Sequence, residues 1–491
     1  MMVEEEIPFE EHLPVSAKVA AGTTQTANLL LSGIGLGAID IFYLKILNLS
    51  PELMAISWIL FIIWNSVNDP LLGVLEDRTK SKLGRRIPYL RYGAPIYAMA
   101  FIWIWFPMTT NQDFLFWNHL LMLFIFDTFY SMIGLITYSL PAEMALTAKE
   151  RGSIMIYTTV IGAIGIVGPI VVPLIFLGNV PKVEAFRITM ILIGILCAVI
   201  FYISSYYIKE KKYTAREESL GFWESIKVTF KNKPFLIVEI SLFANVVMQN
   251  VLFSYFVFLF DFIVDFAFNL LNILIFVGVI AIVFMATYWL MNSIDKYGLK
   301  KLMRMGALIA IVGFLVLLFI GLIINPTQFN KMPLTTMAIP LICIAFGLIC
   351  YLLLGQPLMA DCIDHDEILT GKRRETTYSG MNALITKPAV SIGHALFLLI
   401  IGFYGYNEDI SDPLLQLPTV ATGVLLAFTI IPTICIAIGY ISLKWYNLDG
   451  PEWNKKKRQL QQIHKKKELE YIEYLKEQGI ITESERDNKE L

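Results

Sequence analysis

Charged side chains are scarce in this 491-residue chain: 16% of its residues are Asp, Glu, Lys or Arg, against about 25% in ordinary soluble domains. Long polar stretches are scarce as well, and 56% of the residues are hydrophobic. Apolar runs of about 20 residues, long enough to cross a bilayer as a helix, recur along the whole length. The composition excludes an ordinary soluble domain and predicts a protein that crosses a membrane many times.

The sequence also lacks the motifs of several kinds of chemistry. Its five cysteines form no CxxC pair, so neither a disulfide framework nor a zinc site is expected. The absence of GxxxxGK[ST] argues against ATP-driven transport, and no HExxH is present. The first sixteen residues are polar and acidic, so we predict no cleavable signal peptide. We expect no enzyme activity, no cofactor, no bound metal and no nucleic-acid partner.

The apolar runs predict helices rather than a barrel, because they show no alternation of apolar and polar residues. Twelve spans are predicted, at 20–47, 53–75, 91–109, 114–142, 153–178, 186–208, 235–262, 268–292, 302–324, 335–361, 377–404 and 417–444. These spans divide the chain into a segment 1–19, an N-terminal six-helix bundle 20–208, a middle loop 209–234, a C-terminal six-helix bundle 235–445 and a charged tail 446–491. The spacing of Phe222, Ile226 and Phe230 predicts either a short helix at the membrane surface or a solvated linker in the middle loop. We expect the tail to be a solvated helix.

Lysine and arginine are concentrated in the loops that follow the even-numbered spans. The opposite side of the predicted membrane carries only Lys45, Lys182, Arg187 and Lys331. Because cytoplasmic loops are enriched in these residues, both termini are predicted to lie in the cytoplasm, with the protein a monomer in the plasma membrane.

Two loops in equivalent places of the two halves resemble each other. The loop after span 2 contains Asp77 and Gly84, and the loop after span 8 contains Asp295 and Gly298. Repeated halves are typical of secondary transporters. The acidic cluster 361–367 at the end of span 10 is expected to be solvated and to pair with basic loops. The residues predicted to control closure of the cytoplasmic side are Asp77, Arg78, Gly84, Arg85, Arg86, Asp295, Gly298, Arg374 and Glu375.

Segment 68–88 carries the pattern NDPxxG followed by DRT and GRRxP, and segment 360–387 carries ADxxD, then RExxYS and a lysine. In order and spacing these segments resemble the glycoside–pentoside–hexuronide cation symporters of the major facilitator superfamily. The weaker pattern NKPF at 232–235 also resembles that family. The resemblance implies an all-α fold of twelve transmembrane helices in two six-helix bundles, which rock to give alternating access. It also implies symport with Na⁺ or H⁺.

Three polar residues of span 2 are predicted to form a cation-coupling site. Asn65, Asn68 and Asp69 share one helix face, and an ionised acid deep in a membrane costs at least ~2.5–3.5 kcal/mol. The family resemblance adds Ser131 of span 4. Where the family usually has a first acid, this chain has Asn65, so proton coupling through Asp69 rivals sodium coupling.

Lys387 in span 11 is predicted to sense the charge on Asp69 or to contact substrate. The sugar-binding members of the family carry acids at the positions of Leu29 and Gly134 and often an arginine at Thr159, so galactoside-like recognition is in doubt. The residues predicted to bind substrate are Lys387, Tyr138, Asp127, Tyr130, Asn28, Gln249 and Gln356.

Three functions remain open from the sequence. The leading interpretation is a cation-coupled symporter of a small polar solute, a sugar or glycoside. The second is a transporter of lysolipids or other amphiphiles, which fits the missing sugar acids and the aromatic-rich spans. The third is a membrane receptor that has kept the fold without transport.

Overall fold

The computed structural model describes residues 11–107, 111–178, 181–210, 222–265, 270–324, 331–410 and 412–479. Helices make up most of these residues. The helices of the N-terminal half are α1 (Val15–Lys45), α2 (Pro51–Arg78), α3 (Ala94–Trp103), α4 (Gln112–Met144), α5 (Ala148–Leu177) and α6 (Val183–Tyr207), and a π-helical turn, Tyr89–Gly93, precedes α3.

A short helix, α7 (Phe222–Thr229), lies in the segment between the halves, which is one of the two alternatives that its sequence spacing predicts. The later elements are α8 (Lys233–Ser254), α9 (Phe256–Phe258), a π-helical turn (Leu259–Ile263), β1 (Val264–Asp265), α10 (Leu270–Tyr297), α11 (Leu299–Ile324), β2 (Met332–Pro333), α12 (Leu334–Thr370), α13 (Glu375–Phe403), 3₁₀ turns at Pro413–Leu415 and Leu443–Trp445, α14 (Pro418–Ser442) and α15 (Pro451–Glu477). The two short strands pair in parallel, with Val264 opposite Met332.

Ten helices in the described part of the chain are long and apolar enough to cross a membrane. The two remaining predicted spans are also helical: one is the π turn followed by α3, and the other is α10. Predicted boundaries differ from the observed ones at several ends. Span 3 ends at Trp103 rather than 109, and span 7 breaks after Ser254. Span 10 continues to Thr370 rather than 361, because its terminal acids are paired with cations.

Polar residues just before several helices explain where those helices begin. The side chains of Ser50, Asn111, Thr147 and Asn232 each accept a hydrogen bond from a backbone N–H in the first turn of α2, α4, α5 and α8. Such caps satisfy donors that have no partner inside the helix. They separate apolar runs that would otherwise merge into longer ones.

The two halves pack mainly within themselves and meet along one seam. In the N-terminal half α1 packs on α5 and α6, and α2 on α4; in the C-terminal half α8 packs on α13 and α14, and α11 on α12. Across the halves α2 packs against α13, and α1 against α8. The two helices α2 and α13 are antiparallel. Later residues of α2 therefore contact earlier residues of α13.

Both ends of the described chain reach the same side of the helix bundle. The Glu11 carboxylate accepts hydrogen bonds from the backbone N–H groups of Leu146 and Thr147, at 3.0 and 2.7 Å. Leu475 of α15 packs against Leu146 as well. We call the side that carries residues 145–147 the terminal face, and the other side the opposite face.

The loop after α2 joins three helices of its own half. The Glu210 carboxylate, which follows α6, accepts from the backbone N–H groups of Arg85 and Arg86, both at 2.8 Å. The Arg85 guanidinium bonds Glu143 of α4 at 2.6 Å. Gly84 has φ of 108°, and a Cβ there would lie 2.7 Å from the Glu210 carboxylate.

The equivalent loop of the second half makes an equivalent contact. Gly298 has φ of 79°, and a Cβ there would lie 2.8 Å from Oδ1 of Asp449, which follows α14. In each half, therefore, the loop between the second and third spans lies close to an acid that follows the sixth span. Arg78 is exposed, and the side chains of Asp77 and Asp295 lie outside what the structure describes.

The C-terminal helix is held against the protein, which corrects the expectation of a solvated helix. The ammonium of Lys457 contacts the Asp361 carboxylate, and His464 lies 2.8 Å from Glu367. Leu460 and Leu475 of the same helix are buried. The acids at the end of α12 are buried rather than solvated, since the helix covers them.

We predict that Gly84→Ala lowers the melting temperature of the detergent-solubilised protein by several degrees. The substitution forces a strained backbone, which costs about 1–3 kcal/mol, and it also displaces the Glu210 carboxylate. Gly371→Ala is the matched control, because Gly371 has φ of 72° but no atom within 4 Å of an added Cβ. The contact with Glu210 is unimportant if both variants lose the same stability.

Candidate functional site

A polar cluster lies where α2 crosses α13, in the middle of apolar helices. On α2, Asn65, Asn68 and Asp69 share one face, as their spacing predicts. On α13, Lys387 points across the seam toward them. Its side chain is 15% exposed and that of Asp69 is 12% exposed, so the pair is mostly removed from solvent.

The Lys387 ammonium is bound by three oxygens of the N-terminal half. Its Nζ donates to Asp69 Oδ1 at 2.5 Å, to Ser131 Oγ at 2.6 Å and to Asn68 Oδ1 at 3.0 Å. An ammonium has three protons to donate, so all three are engaged. The geometry is that of a small cation held in a pocket of oxygen ligands.

Asp127 of α4 belongs to this same cluster. Its Oδ1 lies 3.9 Å from the Lys387 ammonium, and its Oδ2 accepts a hydrogen bond from the Asn68 amide. The residue Asp127 as a whole is 2% exposed. Sequence reasoning grouped Asp127 with substrate recognition, whereas the structure places it beside Asp69 and Asn68, because a position two turns before Gly134 on α4 faces α2.

Asn65 contacts the backbone of Lys387 rather than its ammonium group. Its Nδ2 donates to the carbonyl oxygen of Lys387 at 3.0 Å. Asn65 therefore adds a second bond between α2 and α13 beside the ion pair.

Two residues predicted for substrate border the cluster. The Tyr130 ring centroid lies 5.9 Å from the Lys387 ammonium. Asn28 of α1 is buried, and its Oδ1 has no hydrogen-bond partner among the described residues. A Cβ added at Gly134 would lie 3.9 Å from both the Asn28 amide nitrogen and the Tyr130 ring. Asn28 and Tyr130 thus both lie near Gly134, and Tyr130 also lies near the Lys387 ammonium.

The other predicted substrate residues are not brought into this cluster by any contact that the structure describes. Tyr138 is 66% exposed. Gln356 is exposed and Gln249 half-buried.

The predicted gating residues of span 11 bind acids of their own half. Arg374 bonds Asp366 at 3.0 Å, and the neighbouring Arg373 bonds Asp364 and Glu367, both at 3.0 Å. Glu375 accepts from Arg373 at 2.6 Å. The expected pairing of the α12 acids with a basic loop is observed, within the C-terminal half.

A second polar cluster, which sequence reasoning missed, lies nearer the opposite face. The Asp40 carboxylate of α1, fully buried, accepts from Trp58 Nε1 at 2.8 Å and from the Tyr255 hydroxyl. His394 Nδ1 lies 2.6 Å from Asp40 Oδ2, and His119 Nε2 lies 3.5 Å from Oδ1. A lone acid and two lone histidines in apolar spans were signals that the sequence already offered.

One turn further along α1, a buried ion pair also joins the halves. The Lys45 ammonium lies 2.7 Å from Asp261 Oδ2 and donates to the carbonyl oxygen of Leu177 at 2.8 Å. The three cross-seam contacts are therefore stacked from the middle of the bundle toward the opposite face.

The fold resembles that of solved major facilitator transporters. A bacterial homolog of the human lysosomal transporter Spinster, in an inward-facing and unoccupied conformation, superposes with a TM-score of 0.61 at 13% identity, over 89% of this chain and 97% of that chain. The predicted fold class, an all-α major facilitator fold of two six-helix bundles, is confirmed.

Relatives in sequence span nearly the whole chain. The uncharacterized symporter YnaJ of Bacillus subtilis (strain 168) is 24% identical over 86% of this chain and 89% of that protein. The isoprimeverose transporter of Lactiplantibacillus pentosus is 21% identical over 84% of each. The family model for MFS/sugar transport proteins matches residues 26–450. This chain therefore belongs to the MFS/sugar transport protein family: it is a multi-pass secondary transporter of the membrane, not an enzyme.

Proposed function

We propose that the protein is a cation-coupled symporter of a small polar solute, a sugar or glycoside. The observation that carries this proposal is the Lys387 ammonium, bound by Asp69, Ser131 and Asn68 of the other bundle. It occupies a pocket of hard oxygen ligands, the kind that binds a small cation. The coupling cation competes with the ammonium for this pocket.

Charge supports one coupling cation per cycle. With both carboxylates ionised, Asp69 and Asp127 carry two negative charges and Lys387 one positive charge, so that the cluster has one net negative charge. A net charge in a mostly dry site is costly. One H⁺ or one Na⁺ neutralises it, which is the stoichiometry that a simple symporter requires.

Binding of the coupling cation in this pocket allows α2 and α13 to separate. While Lys387 is bound to Asp69, the two bundles are tied at mid-membrane. A cation on Asp69 removes the attraction that holds Lys387, because the charge it faced is neutralised. The ammonium then pairs with Asp127 or with solute, and α2 and α13 can separate.

Asp127 changes the balance between the two coupling ions. The sequence lacks the usual first acid at Asn65, which favoured a proton. Asp127 supplies a second carboxylate to the same cluster, so the charge needed to bind Na⁺ is present after all. Both H⁺ and Na⁺ remain candidates, and the transport measurements below separate them.

The solute site is proposed beside the cluster. The unsatisfied Asn28 carbonyl accepts from a sugar hydroxyl, Tyr130 offers a ring face, and Lys387 or Asp127 binds a second hydroxyl. A buried acceptor without a partner is costly unless a ligand satisfies it. The isoprimeverose transporter, a relative over 84% of this chain, carries a saccharide name, which supports this class of solute.

The distribution of lysine and arginine supports one orientation of the protein in the membrane. The terminal face carries the lysine-rich and arginine-rich loops, so we assign it to the cytoplasm, with both termini there and the protein in the plasma membrane as a monomer. The cross-seam contacts of Asp40 and Lys45 then close the extracellular side.

The solute class is tested by thermal shift of the purified protein. The panel contains monosaccharides, xylosides, galactosides and lysophosphatidylcholine, each at acidic and neutral pH, with Na⁺ or with choline. We expect a saccharide to stabilise the protein, and Asn28→Ala to weaken that shift. Stabilisation by lysophosphatidylcholine alone would replace the sugar assignment with the amphiphile alternative.

We predict that Asp69→Asn abolishes accumulation of the solute against its gradient in proteoliposomes but preserves exchange. Exchange requires no net movement of the cation, whereas accumulation does. Asp113→Asn, at an exposed acid in the first turn of α4, is the control and should accumulate normally. Uphill uptake by Asp69→Asn would show that Asp69 is structural.

We predict that Asn65→Asp increases the dependence of uptake on Na⁺. The new carboxylate would face the carbonyl oxygen of Lys387, and a Na⁺ between them would be bound by both. Asn65→Ala loses the same hydrogen bond without adding charge, so it separates the two effects. Uptake is measured under imposed Na⁺ and pH gradients, and equal Na⁺ dependence in both variants would contradict the prediction.

A further inference from the structure

The buried Asp40 cluster is built from both halves of the protein. Asp40, Trp58 and His119 belong to the N-terminal half, and Tyr255 and His394 to the C-terminal half. The side chains of Asp40, His119 and His394 are fully buried, and His394 stacks on Trp58 with ring centroids 3.9 Å apart. The cluster lies two helical turns from the Lys387 pocket, since Trp58 precedes Asn65 by seven residues and His394 follows Lys387 by seven.

The contacts of Ser57 bear on which nitrogen of His119 carries a proton. The Ser57 hydroxyl has one proton to donate, and both the Met54 carbonyl oxygen at 2.7 Å and His119 Nδ1 at 2.6 Å lie within hydrogen-bond distance. When that proton is given to the Met54 carbonyl oxygen, Ser57 accepts from Nδ1, and Nδ1 is the protonated nitrogen of the neutral ring. The proposal below rests on this tautomer.

His119 Nε2 is then an empty proton acceptor aimed at a carboxylate. It lies 3.5 Å from Asp40 Oδ1 and has no hydrogen-bond partner among the described residues. One added proton converts two acceptors facing each other into an imidazolium facing a carboxylate. The same proton neutralises the single negative charge of the cluster.

We propose that His119 and Asp40 form a second proton-binding site, which controls the opening of the opposite face. Opening this face carries Tyr255 and His394 away from Asp40 and admits water. Asp40 then loses two donors to the other half, and its charge becomes available to His119. Both changes favour the imidazolium, so the open state binds the proton more tightly than the closed state.

Linkage makes this coupling reciprocal: if opening strengthens proton binding, protonation promotes opening. The groups that face His119 and Asp40 from the packed helices are Ser57 and Trp58 of α2, the Tyr43 ring 4.8 Å from His119, Tyr255, which follows α8, and His394 of α13. The nearest charged pair beyond them is Lys45 with Asp261. The proposal does not depend on the role of Asp69.

Opening of the opposite face is measured as the distance between two nitroxide labels on that face, by double electron–electron resonance spectroscopy. Asp113→Cys in the N-terminal half and Leu415→Cys in the C-terminal half, both exposed, carry the labels in a chain whose native cysteines are replaced by alanine. No solute or ion gradient is present. As the pH falls from about 8 to about 5, where histidine titrates, we expect a longer-distance population to increase several-fold.

Three variants decide between His119 and the other groups. In His119→Gln the distances should no longer depend on pH, whereas His464→Gln, at a half-buried histidine of α15 outside both clusters, should keep the wild-type dependence. His394→Gln should raise the open population at every pH and still respond to acid. The proposal fails if His119→Gln keeps the wild-type pH dependence, or if the wild-type distances are the same at both pH values.

The tautomer is tested without altering His119. The chain has five histidines, so ¹⁵N labelling of histidine gives a spectrum with few signals. At neutral pH one ring should show the Nδ1–H tautomer, and acid should convert it to imidazolium. Ser57→Ala, which removes the acceptor of that N–H, should shift this signal alone. A His119 ring that is already cationic at pH 8, or that carries its proton on Nε2, would contradict the proposal.

Discussion

The bond between the Lys387 ammonium and three oxygens of the other bundle constrains the rest of this structure. A lysine in the middle of a membrane span is costly unless its charge is paired. Here the partner charge comes from the opposite half. The same ion pair therefore lowers the cost of burying each charge in the membrane and determines how the two halves pack against each other. Removing one partner leaves a buried charge without compensation, and such losses are typically about 3–5 kcal/mol.

The antiparallel crossing of α2 and α13 repeats this arrangement two turns away. Residues separated by seven positions lie on nearly the same face of a helix, about 10 Å apart along its axis. Asn65 meets Lys387, and Trp58 meets His394, so one seam carries two layers of polar contact with apolar packing between them. The two layers differ in composition. The first contains a lysine, and the second contains two histidines.

The sequence predicts the first layer well and the second poorly. Asn65, Asn68 and Asp69 stand on one face of an apolar run, and a carboxylate in lipid demands a partner. Lys387 was the matching cation, and the structure brings them together. Asp40, His119 and His394 are each a single polar residue in a separate span. Their meeting depends on how α1, α2, α4, α8 and α13 pack, and spacing within one helix carries no information about that.

The tail shows a different limit of sequence reasoning. The sequence predicts that the acidic run 361–367 is solvated and pairs with basic loops, and that the lysine-rich tail is a solvated helix. Together they neutralise one another: Asp361 contacts Lys457, and Glu367 contacts His464. Burial of these charged groups is favourable only when both partners are present. Each segment considered alone favours exposure to solvent, so neither segment by itself predicts that the two are buried together.

The two layers of the seam act on one motion, because α2 and α13 cannot separate along their whole length while either layer is intact. A cation at Asp69 weakens the first layer, and a proton at His119 weakens the second. Each event lowers the cost of the same rearrangement, so each ligand binds the moved state more tightly and favours the other. Two sites about 10 Å apart are coupled in this way without direct contact between their charges, since the rigid helices that carry them move together.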